Sequence, residues 1–211
     1  MGQDLVSYLD GLLHADFPTY WDYINLDTLL SLQQPVTPFP DEQIFIVYHQ
    51  TTELYFKLSL QELQLLHEAA NPDPDEMLVR ISRINRYFRV LVESFDVMVE
   101  GLDRGQFLQF RMSLLPSSGF QSVQYRLVEL ACTTLDRLVH IELRGERRDH
   151  SFEDVEAMFE ELYWRRGATE LASGEPTLTL KQFEAKYRNN IVAFAEERFH
   201  SNVRKQWQNL E

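Results

Sequence analysis

The sequence predicts an all-α fold, a bundle of long helices. Three observations carry this prediction. Gly and Pro number only eight each in 211 residues, too few for a turn-rich β-sandwich and suited to helices with few interruptions. Apolar residues recur at spacings of three and four, most clearly Met77, Ile81, Ile84, Phe88, Leu91, Phe95 and Met98, which is the helical period. No stretch shows the sustained two-residue alternation of a half-buried strand.

The elements follow in order. Residues 5–13 read as a short amphipathic helix stopped at Phe17-Pro18. A second runs from Thr19 to about Gln33, and PVTPFP, with three prolines in six residues, excludes helix beyond it. Asp41 reads as the N-cap of a long helix from about Glu42 to Ala70. NPDPDE closes that helix and caps the next, expected over 75–102. A short helix at 103–113 leads into LLPSSG, and Phe120 to Leu143 resumes the helical pattern. RGERRDHS reads as a charged loop, and helices near 152–165 and 179–208, separated by an ASGEPT turn, complete the chain. With no repeat and no low-complexity tract, residues 1–211 are expected to form one domain.

Composition excludes several classes of function. Hydrophobic residues at 44% and charged residues at 25% place the chain among ordinary globular proteins, not disordered or fibrous ones. Twenty basic against 33 acidic residues give a net charge of −13, a surface that repels phosphate backbones, so no nucleic-acid partner is expected. Cys132, the single cysteine, forms no internal disulfide and fits a reducing cytoplasm. No run of about 20 apolar residues is present to span a membrane. The start MGQDLVSYLDGLL lacks the basic region of a signal peptide, and Val6 stands where a myristoylation motif wants Ser or Thr.

Much standard chemistry lacks a motif. GxxxxGK[ST], GxGxxG, HExxH and CxxC are all absent. A di-iron bundle needs two Glu-x-x-His pairs, and only Glu197 with His200 fits. Arg80, Arg83, Arg86 and Arg89 step by three and sweep about half the helix circumference, which reads as a solvated or ion-paired face.

Three features invite a functional reading. On a helical wheel starting from Phe45, Leu63, Phe56 and His49 fall at roughly 0°, 20° and 40°. Val47, Leu54, Leu58 and Leu65 cluster near 200° on the same wheel, so most of this helix is expected to be buried and central. His49 then reads either as a core histidine satisfied by a neighbour or as a functional imidazole. Phe107 and Arg111 are i and i+4 neighbours, consistent with a carboxylate clamp or with an ordinary salt bridge. Tyr20, Tyr23 and Ile24 form an aromatic face suited to the core or to an oligomer contact.

These features lie in three longer words: TYWDYINLDTLLSLQQ (19–34), FIVYHQTTELYFK (45–57) and FRMSLLPSSGFQSVQYRLVE (110–129). In them the chain resembles the tryptophan 2,3-dioxygenase family over about residues 19–130. A weaker likeness in YWRRGATELASGEPTLTLKQFEAKY (163–187) points to a bacterial branch. The resemblance implies a helix bundle of the tryptophan/indoleamine dioxygenase type, one heme b (haem) iron centre per subunit, and self-association to a homotetramer or dimer. It implies an oxidoreductase of tryptophan catabolism, in the kynurenine pathway, that adds dioxygen across the indole C2–C3 bond of L-tryptophan to give N-formylkynurenine.

It also implies roles by position. His49 is the distal histidine that hydrogen-bonds the indole N–H, and Phe45 packs on the indole. Arg111 binds the substrate carboxylate, and Phe107 lines the aromatic pocket. Phe45, His49, Ser118 and Gly119 lie at cofactor-contacting positions. Tyr20, Tyr23 and Ile24 reach into a neighbouring subunit's pocket. The proximal histidine that ligates iron is expected beyond Glu211, since the context of His200 does not match it, so no metal ligand is assigned within the chain. Two alternatives remain at this stage: a related haem protein oxygenating another indole, and a helical family member without catalysis.

Overall fold

Pro40 opens the longest helix, α4 (Pro40–Glu68), because its fixed φ suits a first helical position and its missing N–H costs nothing there. The computed structural model describes residues 4–14, 18–69, 73–114, 119–143, 155–170 and 173–210. α4 is preceded by α1 (Leu5–His14), α2 (Tyr20–Tyr23) and α3 (Leu26–Leu30). It is followed by α5 (Pro74–Ser94), α6 (Asp96–Val99), α7 (Arg104–Phe110) and α8 (Val123–Cys132). The series ends with α9 (Val155–Glu160), α10 (Tyr163–Gly167), α11 (Leu178–Arg198) and α12 (Val203–Gln208). Among the described residues the extended pairing is limited to two isolated bridges, Val139 with Leu162 and Thr169 with Pro176. The all-α prediction holds.

α4 packs against α5 and α8, and α8 in turn against α11. Leu63, Ile84, Val128 and Ala131 form the seam between α4, α5 and α8. A larger apolar cluster, including Leu135, Met158, Phe159, Trp164, Leu180, Phe183 and Ile191, fills the space between the end of α8, α9, α10 and α11. Each fully buried aliphatic or aromatic side chain of this kind contributes about 1.5–3 kcal/mol. The arginine stripe of α5 is ion-paired in part, as its drift suggests: Arg80 and Arg83 each reach Glu62 at 3.0 Å, and Arg80 also reaches Glu76 at 2.6 Å.

Several expected boundaries shift. The cap of α4 is Phe39, one residue before Pro40. Asp41 sits in the first turn, where its Oδ2 accepts the Asp103 N–H at 2.5 Å. The second predicted helix breaks at Asn25, whose φ of 51° is left-handed, a conformation Asn tolerates better than other non-glycine residues. The helix expected over 75–102 ends at Ser94, and α6 is a separate turn. The run expected from Phe120 to Leu143 is a 3-10 turn at Gly119–Gln121, then α8, then a 3-10 turn at Leu135–Arg137. The last two predicted helices each divide, into α9 with α10 and α11 with α12. RGERRDHS lies outside the described residues.

The burial expected along α4 is also corrected. Val47, Leu54 and Leu58 are 42–46% exposed, while Phe56, Ser59, Glu62, Leu63 and Leu66 are buried. α5 and α8 cover only part of the cylinder, so one apolar arc becomes core and the other stays on the surface.

Candidate active site

Phe110 is fully buried and organises one end of the site. Its ring lies 5.7 Å from Phe45 and 5.4 Å from Phe107, edge-on to both. Such edge-to-face contacts add roughly 0.5–1.5 kcal/mol each and lock α7 onto the first half of α4. Phe45 and Phe107 themselves stand 6.3 Å apart. α7 is capped by Asp103, whose Oδ1 accepts the Gln106 N–H at 2.8 Å. The chain then tightens into a 3-10 turn at Arg111–Leu114, which presents Arg111 beside the ring cluster.

One turn after Phe45, His49 stacks on it, with ring centroids 4.0 Å apart and a 34° tilt. Its Nδ1 lies 2.8 Å from the Phe45 carbonyl oxygen. With the proton on Nδ1 donated to that carbonyl, Nε2 is the imidazole's remaining acceptor. His49 is exposed, so the reading as a core histidine is set aside. The first part of the apolar arc that carries it, from Phe45 to Phe56, lines a cleft.

That cleft, about 870 Å³, is bounded by Phe45, His49, Phe56 and Phe107, by Arg111 and Gly119, and by Tyr125 and Arg126 at its far wall. Ser122 caps α8 by accepting the Tyr125 N–H at 3.2 Å, fixing the start of that wall. The Phe56 and Tyr125 rings meet at 5.3 Å. Arg126 is buried. Its Nη1 donates to Glu129 Oε2 at 2.6 Å and lies 2.7 Å from the Tyr163 hydroxyl, which donates to Glu129 Oε1 at 2.6 Å. Burial, together with the Glu129 hydrogen bond, pushes the Tyr163 hydroxyl up to about 12. Burial also raises Glu129, against the opposing pull of Tyr163 and Arg126. A smaller apolar recess of about 390 Å³, lined by Tyr48, Phe88, Leu91 and Phe95, shares His49, Thr52, Phe56 and Tyr125 with the cleft.

Arg111 is exposed, and among the described residues no carboxylate pairs with it. The ordinary salt bridge is therefore not what the structure shows. The arrangement offers a flat aromatic slot, one imidazole at its wall and one unspent guanidinium at its rim, the elements that orient an aromatic amino acid.

A family model for tryptophan 2,3-dioxygenase matches residues 13–208. The chain belongs to the tryptophan 2,3-dioxygenase family. A tryptophan 2,3-dioxygenase of Ruegeria sp. (strain TM1040) is 43% identical over 116 residues, 54% of this chain and 41% of the relative. The one from Bacillus thuringiensis (strain Al Hakam) is 40% identical over 126 residues, 56% and 44% of the two chains. That of Polaromonas naphthalenivorans (strain CJ2) is 40% identical over 116 residues, 54% and 40%. In each case the match covers less than half of the relative's own length.

The tryptophan 2,3-dioxygenase resemblance singled out nine positions. The structure brings Phe45, His49, Phe107, Arg111 and Gly119 to one cleft. Ser118 lies outside the described residues. Tyr20, Tyr23 and Ile24 are 71%, 76% and 37% exposed and do not line this chain's own cleft. The sequence marks no site role for Thr52, Glu53, Phe56, Tyr125 or Arg126, although Phe56 falls beside His49 on the wheel. The first three stand at i+3, i+4 and i+7 from His49, a spacing that places them on its face. Among the described residues no group of three or more His, Cys, Asp or Glu is arranged to hold a bare metal ion, and no helix is long and apolar enough to cross a membrane.

Proposed function

We propose that this protein is a haem-dependent tryptophan 2,3-dioxygenase that opens the indole C2–C3 bond of L-tryptophan with dioxygen to give N-formylkynurenine, within kynurenine-pathway catabolism. The observation that carries the reading is the convergence of Phe45, His49, Phe107 and Arg111, which no carboxylate among the described residues pairs, on one aromatic-walled cleft in a chain of this family.

The cleft fits one face of a haem. Its aromatic walls suit a flat macrocycle, and His49, the histidine that lines it among the described residues, has its Nδ1 engaged with the Phe45 carbonyl and its Nε2 left for a partner in the cleft. Phe45, His49 and Gly119, with Ser118, would contact the group. When bound, haem supplies the dioxygen chemistry.

The chain's own residues bind and orient. Arg111 takes the substrate carboxylate through parallel N–H bonds, and Phe45 and Phe107 pack against the indole. His49 Nε2 accepts the indole N–H, which fixes the ring's orientation without requiring a strong base. Tyr20, Tyr23 and Ile24, with the neighbouring Trp21 at 55% exposure, supply an apolar face for self-association into a dimer or homotetramer. An acidic composition and a half-buried lone thiol accord with a cytoplasmic protein.

The test is conversion of L-tryptophan by haem-loaded protein, with N-formylkynurenine detected by mass spectrometry. His49→Ala is expected to lower turnover, and Arg111→Ala to raise KM by about 10- to 100-fold, the loss of a charge-assisted pair of roughly 1.5–3 kcal/mol. Haem-loaded protein that leaves L-tryptophan intact under oxygen would overturn the proposal.

A further inference from the structure

We propose that the groove where α4, α8 and α11 meet is a second binding site, taking a small organic carboxylate with an apolar body, and that Arg198 is its anchor. The groove, about 260 Å³, shares no lining residue with the candidate active site among the described residues.

Arg198 is 3% exposed. Its Nη2 hydrogen-bonds Gln64 Oε1 and lies 3.4 Å from Glu197, a side chain that is itself 52% exposed. Among the described residues its Nε and Nη1 have no hydrogen-bond partner. Nε carries one N–H and Nη1 two, so most of the guanidinium's donors are unspent. A buried cation left so is costly, because its lost hydration is not replaced. Burial lowers the arginine's pKa although Glu197 and Glu68 act to raise it, which means the protein's own acids do not fully compensate the charge.

The surroundings state what would complete it. Lys57, exposed at the rim and without a carboxylate partner among the described residues, adds a second positive charge. The floor is apolar, built from Leu60, Leu63, Leu127 and Phe194, with the Phe194 ring 4.9 Å from the guanidinium carbon. A hydrated inorganic ion would leave that floor unmatched. An anion on a ring or branched chain covers it while meeting Arg198. The groove is smaller than a drug-sized pocket, which limits the apolar body to about one ring.

Calorimetric titration of the 211-residue chain with benzoate tests this, with benzyl alcohol and inorganic phosphate as the ring without the charge and the charge without the ring. Saturable benzoate binding is expected, with both controls weaker by at least about tenfold. Lys57→Glu, at an exposed position, should weaken benzoate by roughly tenfold, and Arg198→Met should abolish it. Arg111→Ala, which disables the carboxylate clamp of the candidate active site, should leave the Lys57-dependent part of the binding unchanged. Where Arg198→Met fails to fold by circular dichroism, Lys57→Glu carries the test. No saturable benzoate binding, equal binding of benzyl alcohol, unaltered affinity in Lys57→Glu, or loss of binding in Arg111→Ala would overturn the proposal.

Discussion

Glu42 is 1% exposed and still favours its charged form. Burial opposes the charge, but hydrogen bonds from the Thr37 hydroxyl and from the Val36 and Thr37 N–H groups, the last two at 2.9 and 2.8 Å, outweigh it and lower the pKa. A depressed carboxyl pKa stabilises the fold above the unfolded value, near 4.5, and that contribution is lost as pH falls through the folded value. Glu42→Gln, which leaves these donors poorly met, is expected to cost about 1–3 kcal/mol at pH 7 in urea unfolding, a gap that narrows below the unfolded pKa. Cys132 behaves oppositely: burial, reinforced by Glu129, pushes its thiol up to about 11. The reactive thiolate is then scarce at pH 8. Native protein should resist alkylation by iodoacetamide, and urea-unfolded protein should react. At this scale the sequence revealed His49 and Arg111 but not their settings. The wheel placed His49 in an apolar arc without distinguishing a core from a cleft wall, and nothing local to Glu42 announces that the proline-rich loop folds back to cap its side chain.

Helices were easier to find than to end. Apolar spacing continues from Phe88 through Met98, yet α5 stops at Ser94 because the chain turns: the Phe95 N–H bonds Val92, and the Glu100 and Gly101 N–H groups share the Asp96 carbonyl. The same apolar positions serve both the helix and the turn, so periodicity alone does not mark the break. At the end of α8 a signal was present, since Thr133 is extended at φ −141° and ψ 170° and opens a pair of β-branched residues. The turn after α6 requires its glycine. A Cβ on Gly101 would lie 2.6 Å from the Val97 carbonyl oxygen, whereas one on Gly11 in α1 would meet nothing within 4 Å. Gly101→Ala should therefore lower stability by about 1–3 kcal/mol, read as a drop of roughly 2–4 °C in Tm per kcal/mol for a chain of this size. Gly11→Ala should be neutral or stabilising by up to about 1 kcal/mol.

Across the whole molecule, fold class and family were legible because helical spacing and three long words are local properties of the chain. The cleft was only half legible. Tyr125 and Arg126 reach it from α8, more than 70 residues after His49, and only the packing of α8 on α4 makes them neighbours. The opposite jaw, α7, is held to α4 by two kinds of contact. The Phe110 wedge is one. The other is a clasp at the start of α4, where Asp41 Oδ2 accepts the Asp103 N–H and the Asp41 N–H donates to Gln106 Oε1 at 3.3 Å. None of the clasp residues lines the cleft, yet they hold the element that carries Phe107 and Arg111, so the gap between the jaws is set as in a caliper, from its pivot. Asp41→Ala should lower the free energy of opening at the Phe107–Arg111 amides by about 1 kcal/mol in hydrogen exchange while the α8 and α11 amides keep their protection. The width of the slot is therefore adjustable by residues that no ligand touches, and changes at the head of α4 can retune what the cleft admits without altering a single wall.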